Sequence, residues 1–347
     1  MPALALAEAL REARPDVEPV LVGAARGIEA RVLPQRPFRY HLLPLEPIYR
    51  HAWWRNARWP LVAWRAWRAV GRLLDAERPA VVIGTGGYAA GPVVWRAQRR
   101  GIPTALQEQN AFPGLTTRWL ARGAAQVHLG FPEAVARIAV GRRTEVRAPG
   151  NPIRPPEPRD PRAARTSFGL DPDRATVLVM GGSQGALAIN RVVGAALEGQ
   201  ALPGVNLLWS AGAAHAATVA RFEEPGRVVV RGFFDPIAAA YRAADLVVCR
   251  AGAMTTAELC AWGKPSVLVP LPSAAADHQT RNAQALAAAG AAVLLAEHDL
   301  SPELLARTVG GLLADGGRLA SLAAAARSRG RPGAAGEIVS RILTLIR

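Results

Sequence analysis

Short apolar runs of strand length alternate with longer amphipathic stretches along most of the chain, and glycine-rich turns mark many of the joins. The chain opens in a helical pattern from Pro2 to Arg11, with proline suited to a first turn. Val17 to Val22 reads as a strand, Gly23 to Leu33 as a turn and helix, and the proline-punctuated span from Pro34 to Pro47 as irregular. From Pro60, a good helix start, Trp67, Val70 and Leu74 share one face at about 100° per residue. Arg65, Arg68 and Arg72 share a narrow opposite arc, and Trp64 lies on the flank. An apolar run ending at Ile83 then enters Gly84-Thr-Gly-Gly-Tyr-Ala-Ala-Gly-Pro92, a turn where backbone can come very close to a ligand. Pro103 to Leu106 reads as the next strand, with Gln107-Glu-Gln-Asn110 leading into a helix, and Val127 to Leu129 as another.

The proline-dense stretch from Ala148 to Pro161 carries no apolar periodicity and reads as an interdomain linker. A second series begins at Thr176-Val-Leu-Val-Met-Gly-Gly-Ser-Gln-Gly185, again a strand into a glycine-rich turn. Strands are expected at Leu207 to Ser210, Val228 to Arg231, Leu246 to Cys249, Ser266 to Val269 and Ala292 to Leu295. The polar run Asp277-His-Gln-Thr-Arg-Asn282 opens a helix, with Asp277 placed either as its N-cap or, with Gln279, toward a ligand. The pattern therefore predicts an α/β protein of two Rossmann-like domains, 1–154 and 166–335, joined by a linker at 155–165. A last helix within 336–347 could pack on either.

At 347 residues the chain can support two full cores, and a half-apolar composition with few charges is globular. The formal charge of +15 changes the picture more, because it points to a negatively charged partner: nucleic acid, an anionic membrane or a diphosphate. Lys264 is the only lysine, so this charge is almost entirely guanidinium. Two cysteines, Cys249 and Cys260, suggest neither a disulfide framework nor a metal site, which favours a reducing compartment. No apolar run reaches the ~18 residues of a bilayer span, and the N-terminus does not read as a signal peptide.

Five of the nine tryptophans fall between Trp53 and Trp67, mixed with arginines. A helix half buried on its own domain explains most of them. An interfacial patch at the headgroup level of an anionic membrane is compatible with that, if the aromatics divide between core and surface.

The stretch Asp245-Leu-Val-Val-Cys-Arg-Ala-Gly-Ala-Met-Thr-Thr-Ala-Glu258 reads as a buried strand, a small-residue turn and the first turn of a helix. Thr255 and Thr256 sit where unpaired N–H groups and the helix dipole would meet a phosphate, and Glu258 lies about one turn further in. Ser183 would present a hydroxyl in the same manner. Such geometry suits a diphosphate beside a ribose, although an ordinary strand-to-helix turn explains this segment taken alone.

Taken together, Gly84 to Pro92, Gln107-Glu-Gln-Asn-Ala-Phe-Pro-Gly114, Gly150-Asn-Pro-Ile-Arg154, Gly181-Gly-Ser-Gln-Gly-Ala186, Cys249 to Glu258 and Asp277 to Asn282 closely resemble the MurG family. These motifs occur in the family's order and span essentially the whole chain. The family comprises bacterial transferases that add GlcNAc to undecaprenyl-pyrophosphoryl-MurNAc-pentapeptide. The resemblance implies a GT-B fold, two Rossmann-like domains facing a cleft, with UDP-GlcNAc held mainly by the C-terminal domain and the lipid acceptor (lipid I) by the N-terminal one. By motif, Asn110, Arg154, Ser183, Gln279 and the loop Ala253, Met254, Thr255, Thr256, Ala257 and Glu258 match donor-binding positions, with Glu258 expected on the ribose hydroxyls. Phe234 matches the residue whose backbone meets uracil. Gly86, Gly87 and Tyr88 match the acceptor-diphosphate loop, and Leu61, Trp64 and Trp67 the membrane-associating patch. The resemblance further implies no cofactor, no metal, no nucleic-acid partner, and a peripheral place on the cytoplasmic face of the bacterial inner membrane.

The chain also departs from the family pattern. Gln107 stands where the family usually has His, and Thr117 where it usually has Asn. The family's opening strand and Gly-Gly-Thr-Gly-Gly-His loop, which precede the segment matching Met1 to Arg11, are not in this sequence. The expectation is therefore a first sheet short of its first strand, through a start codon assigned too late or a degraded homologue. No general base can be named from the remaining motifs; Glu108 is a weak candidate. Alternatives are an inactive nucleotide-sugar-binding homologue, an epimerase, or a GT-B enzyme with a soluble acceptor.

Overall fold

The computed structural model describes residues 2–45, 59–157, 160–181 and 186–346, with the side chains of 59–61 outside the description. Two compact units divide the chain, Met1–Ile153 with Gly333–Arg347, and Arg154–Pro332. The last segment thus belongs with the first unit.

The first unit runs α1 (Pro2–Ala13), β1 (Val20–Ala24), α2 (Glu29–Val32), β2 (Arg39–Leu43), α3 (Trp59–Glu77), β3 (Val82–Gly84) and α4 (Gly87–Arg99). It continues through β4 (Thr104–Glu108), α5 (Leu115–Leu120), β5 (Gln126–Leu129) and β6 (Glu145–Arg147). Its strands form two separate parallel ladders, β1-β2 and β3-β4-β5-β6. Among the described residues no ladder joins β1 to β3, yet Ala24 and Leu43 share one apolar core with Val82, Leu106 and Val127. A single layer of packing is therefore served by a sheet with a break in its hydrogen bonding, and each side of the break leaves a strand edge without a ladder partner. Strand β2 falls inside the span expected to be irregular: its pairing with β1, Val20 against Arg39 through Ala24 against Leu43, supplies the order that its polar sequence does not announce. Strand β6 was likewise invisible to periodicity, being three residues with partly exposed side chains.

The second unit runs α6 (Pro161–Ser167), β7 (Thr176–Met180), α7 (Leu187–Glu198), β8 (Asn206–Ser210), α8 (Ala216–Val219), β9 (Val228–Arg231), α9 (Ile237–Ala243) and β10 (Leu246–Cys249). Then come α10 (Ala253–Trp262), β11 (Ser266–Leu268), α11 (His278–Ala288), β12 (Val293–Leu294), α12 (Pro302–Ala314) and α13 (Gly316–Arg329). Helix α6 starts inside the span read as linker, because Asp160 caps it by accepting from the N–H groups of Arg162 and Ala163. The parallel sheet has the order β12-β11-β10-β7-β8-β9. From β7 the chain first steps outward through β8 and β9, then returns to the other side of β7 as β10. That reversal makes the carboxyl ends of β7 and β10 the switch point where an open α/β sheet binds ligands. Its central strands are buried on both faces, which is why they read as continuous apolar runs.

Helix α14 (Ala334–Leu343) closes the first unit, packing on α1 so that Ile338, Val339 and Ile342 meet Leu6, Leu10 and Ala105. The Gln126 side-chain amide fixes it further by donating to the Arg341 carbonyl at 3.0 Å.

Candidate active site

In the first unit the carboxyl ends of β3 and β4 lie side by side, joined by Gln109, whose Nε2 donates to the Thr85 carbonyl at 2.9 Å. The loop between them and α4 turns through Gly86 and Gly87, both in the left-handed region at φ 84° and 76°. A Cβ on Gly86 would also lie 3.1 Å from Gln109 Oε1. Both glycines are thus required by the turn, which brings backbone N–H groups to the start of α4. Tyr88 follows as a partly exposed ring.

Glu108 ends β4 and is 3% exposed. One carboxylate oxygen accepts from the Asn110 N–H at 3.1 Å and from Asn110 Nδ2 at 3.2 Å. The other accepts from the Gly114 N–H at 3.0 Å and from Thr117 Oγ1 at 2.6 Å. Four donors occupy the lone-pair sites of a buried carboxylate, so its job is to hold the loop 110–114 and the start of α5. These four bonds favour a bracing role for Glu108 over that of the weakly suggested base. Asn110 is the residue so aimed, its side chain fixed by an acid two positions earlier. Gln107, also buried, donates to Asn151 Oδ1 at 2.9 Å, and Asn151 Nδ2 donates to the Gln109 carbonyl at 3.0 Å. The two departures from the family pattern, Gln107 and Thr117, are therefore both parts of this buried scaffold. Gln109 and Asn151 lie inside the motifs Gln107 to Gly114 and Gly150 to Arg154 but were given no role there; their hydrogen-bond partners lie 24 and 42 to 44 residues away, which local pattern does not report.

Elsewhere in the same unit, α3 presents the predicted faces: Val70 and Leu74 are buried, Arg65, Arg68 and Arg72 exposed. Trp67 is half-buried and Trp64 is 54% exposed, with Arg68 over its ring at 4.9 Å. The structure adds two rings that periodicity did not single out. Trp95 of α4 lies 4.9 Å from Trp67, and Trp119 of α5, 57% exposed, lies 5.5 Å from Trp95. Arg96 over Trp67 and Arg99 over Trp95 set guanidinium groups against this aromatic strip. The side chain of Leu61 lies outside the described residues. No helix among the described residues is long and apolar enough to cross a membrane.

In the second unit, the turn Arg250-Ala251-Gly252 leads from β10 into α10 at the switch point. The N-cap is Gly252, which makes no side-chain capping hydrogen bond. Within the predicted loop the residues divide by burial. Ala253 and Thr256 are buried, and Thr256 Oγ1 turns back to the Gly252 and Ala253 carbonyls. Met254, Thr255, Ala257 and Glu258 keep partial exposure. Burial pushes the Glu258 carboxyl upward from the usual carboxylate range, and a hydrogen bond from Tyr241 opposes that shift.

Other buried groups brace this end of the sheet. Asn282 Nδ2 donates to the Ala251 carbonyl at 3.1 Å, and Arg250 donates to the carbonyls of Val269 and Pro270 while pairing with Glu297. Gln279 Oε1 accepts from the Leu271 N–H at 3.0 Å. Asp277 occupies the N-cap position of α11, but in the left-handed conformation and without a side-chain cap. Phe234 buries its ring edge-on against Phe168, 5.4 Å away. Ser183 lies outside the described residues, and Arg154, at the start of this unit, is exposed. Among the described residues no group of three His, Cys, Asp or Glu side chains is arranged to hold a metal ion.

Comparison with known proteins settles the family. Residues 1–129 match the glycosyltransferase family 28 N-terminal domain and residues 176–338 its C-terminal domain. The chain belongs to glycosyltransferase family 28. Among curated family 28 relatives, those of Chlorobaculum parvum and Salinibacter ruber are each 41% identical, over 99% of this chain and 95% and 93% of theirs. Both are named UDP-N-acetylglucosamine–N-acetylmuramyl-(pentapeptide) pyrophosphoryl-undecaprenol N-acetylglucosamine transferase. The crystal structure of Acinetobacter baumannii MurG matches with a TM-score of 0.78 at 29% identity, covering 99% of this chain and 95% of that one. The family 28 architecture here is therefore GT-B. A putative UDP-N-acetylglucosamine 2-epimerase from Listeria monocytogenes, at 15% identity and a TM-score of 0.70, shares the fold alone.

Proposed function

We propose that this chain is an inverting N-acetylglucosaminyltransferase that moves GlcNAc from UDP-GlcNAc to the 4-hydroxyl of MurNAc-(pentapeptide)-pyrophosphoryl-undecaprenol, forming lipid II for peptidoglycan. The observation that carries the reading is the near full-length likeness to relatives named for that transfer. The sites of the two units agree with it. The N-terminus of α10 and Arg154 would offset the charge that grows on UDP as the anomeric carbon passes through an oxocarbenium-like state. Asn110, Ser183, Phe234, Thr255, Glu258 and Gln279 would hold the donor, while Gly86, Gly87 and Tyr88 would meet the acceptor diphosphate. Positioning and charge stabilisation supply the catalysis in this reading.

Leu61, Trp64 and Trp67, extended by Trp95 and Trp119, would seat the protein on the anionic cytoplasmic face of the inner membrane, where the acceptor's lipid resides. Transfer of labelled GlcNAc from UDP-GlcNAc to the lipid acceptor by the purified chain is the direct test. Turnover with the lipid acceptor is expected; UDP-GlcNAc epimerisation without transfer, or binding without turnover, would replace the reading with one of its alternatives.

A further inference from the structure

Tyr241, on α9, is 1% exposed and its hydroxyl donates to Glu258 Oε2 on α10 at 2.8 Å. Trp262, one turn beyond Glu258 on the same helix, packs its ring 5.9 Å from that of Tyr241 and fixes the phenol from a second side. No other hydrogen bond reaches the Glu258 carboxylate among the described residues. A glutamate side chain turns broadly about its last torsion, so a single rigid donor decides how the two oxygens are presented.

We propose that Tyr241 is a positioning residue for the donor nucleoside, tying down one oxygen of Glu258 so that the other is presented to the ribose hydroxyls. The proposal rests on the reading of Glu258 as the ribose contact. It explains why a phenol is buried there: Tyr241→Phe would fill the same core volume, so the hydroxyl serves the glutamate. Locking the acceptor beforehand spares the bound state the cost of ordering it. It also makes the pair a determinant of ribose against deoxyribose, because a fixed acceptor rewards a hydroxyl at one place.

The test crosses Tyr241→Phe with two donors, UDP-GlcNAc and its 2′-deoxyuridine counterpart. The wild-type protein should prefer the ribose donor. In Tyr241→Phe the KM for UDP-GlcNAc should rise about tenfold, the scale of one hydrogen bond to a charged group. Its kcat and the acceptor KM should stay unchanged, and the preference over the deoxy donor should shrink. The ratio of Kd values for UDP and 2′-deoxy-UDP in one sample gives the same answer independently of the fraction folded. A wild-type protein that does not distinguish the two sugars would remove the ribose role of Glu258 itself. A wild type that distinguishes them and a Tyr241→Phe variant that does so equally well would overturn the role of Tyr241 alone.

Discussion

Two glutamates of similar local appearance have opposite fates. Glu108 spends every acceptor site on its own loop, whereas Glu258 accepts one hydrogen bond among the described residues and keeps partial exposure. Glu108→Gln would turn an amide donor toward groups that are already donors, leaving at least one buried N–H or hydroxyl unsatisfied. A loss of about 2 kcal/mol is expected, read as a lower midpoint in urea unfolding, together with reduced transfer because Asn110 loses its brace. His128 gives a second residue-scale prediction. Burial in β5 lowers its pKa from 6.5 to about 4. As pH falls, the unfolded chain therefore takes up this proton before the folded one does. The contribution is full above about pH 6.5 and is lost progressively toward pH 4, by as much as about 3 kcal/mol. Urea unfolding at pH 7 and pH 4.5 should show a smaller fall in stability for His128→Gln than for the wild type.

At the scale of elements, α14 illustrates how a helix can belong to a domain far from it in sequence. Its apolar stripe, Ile338, Val339 and Ile342, was legible as an amphipathic pattern, but nothing local said which unit it would cover. The contact with α1 decides it. Ile338→Ala should cost about 3 kcal/mol, the usual range for emptying a fully buried site. The loss should appear in the unfolding of the first unit and leave UDP binding by the second intact, as separate melts with and without UDP would show. Strand β2 carries the complementary lesson, since Arg39-Tyr-His-Leu-Leu43 has no convincing alternation and is a strand because β1 offers it a parallel edge.

For the whole molecule, the net charge of +15 and the strip Trp67, Trp95 and Trp119 favour the same partner, an anionic surface. Replacing Trp95 and Trp119 together by Ser should weaken sedimentation with phosphatidylglycerol vesicles several-fold, while UDP binding stays unchanged. Equal sedimentation by a folded double variant would remove these rings from the proposed membrane-binding surface. Periodicity did not reveal the two rings because they lie on α4 and α5, about 30 and 50 residues beyond Trp67, and no periodicity within one helix can report a cluster assembled from three.

The sequence by itself determined the α/β class, the strands of the second unit and the glycine turns, because buried parallel strands are written as continuous apolar runs and left-handed turns as glycine. It also determined the family, through motifs in a shared order. Tertiary structure alone decided that Glu108 is a brace, that Tyr241 holds Glu258, that α14 completes the first unit and that β1-β2 and β3-β6 form separate ladders. The physical reason is common to all four: hydrogen-bond partners and packing surfaces meet across gaps in sequence, and local pattern records only that a group wants a partner, without saying which one it finds.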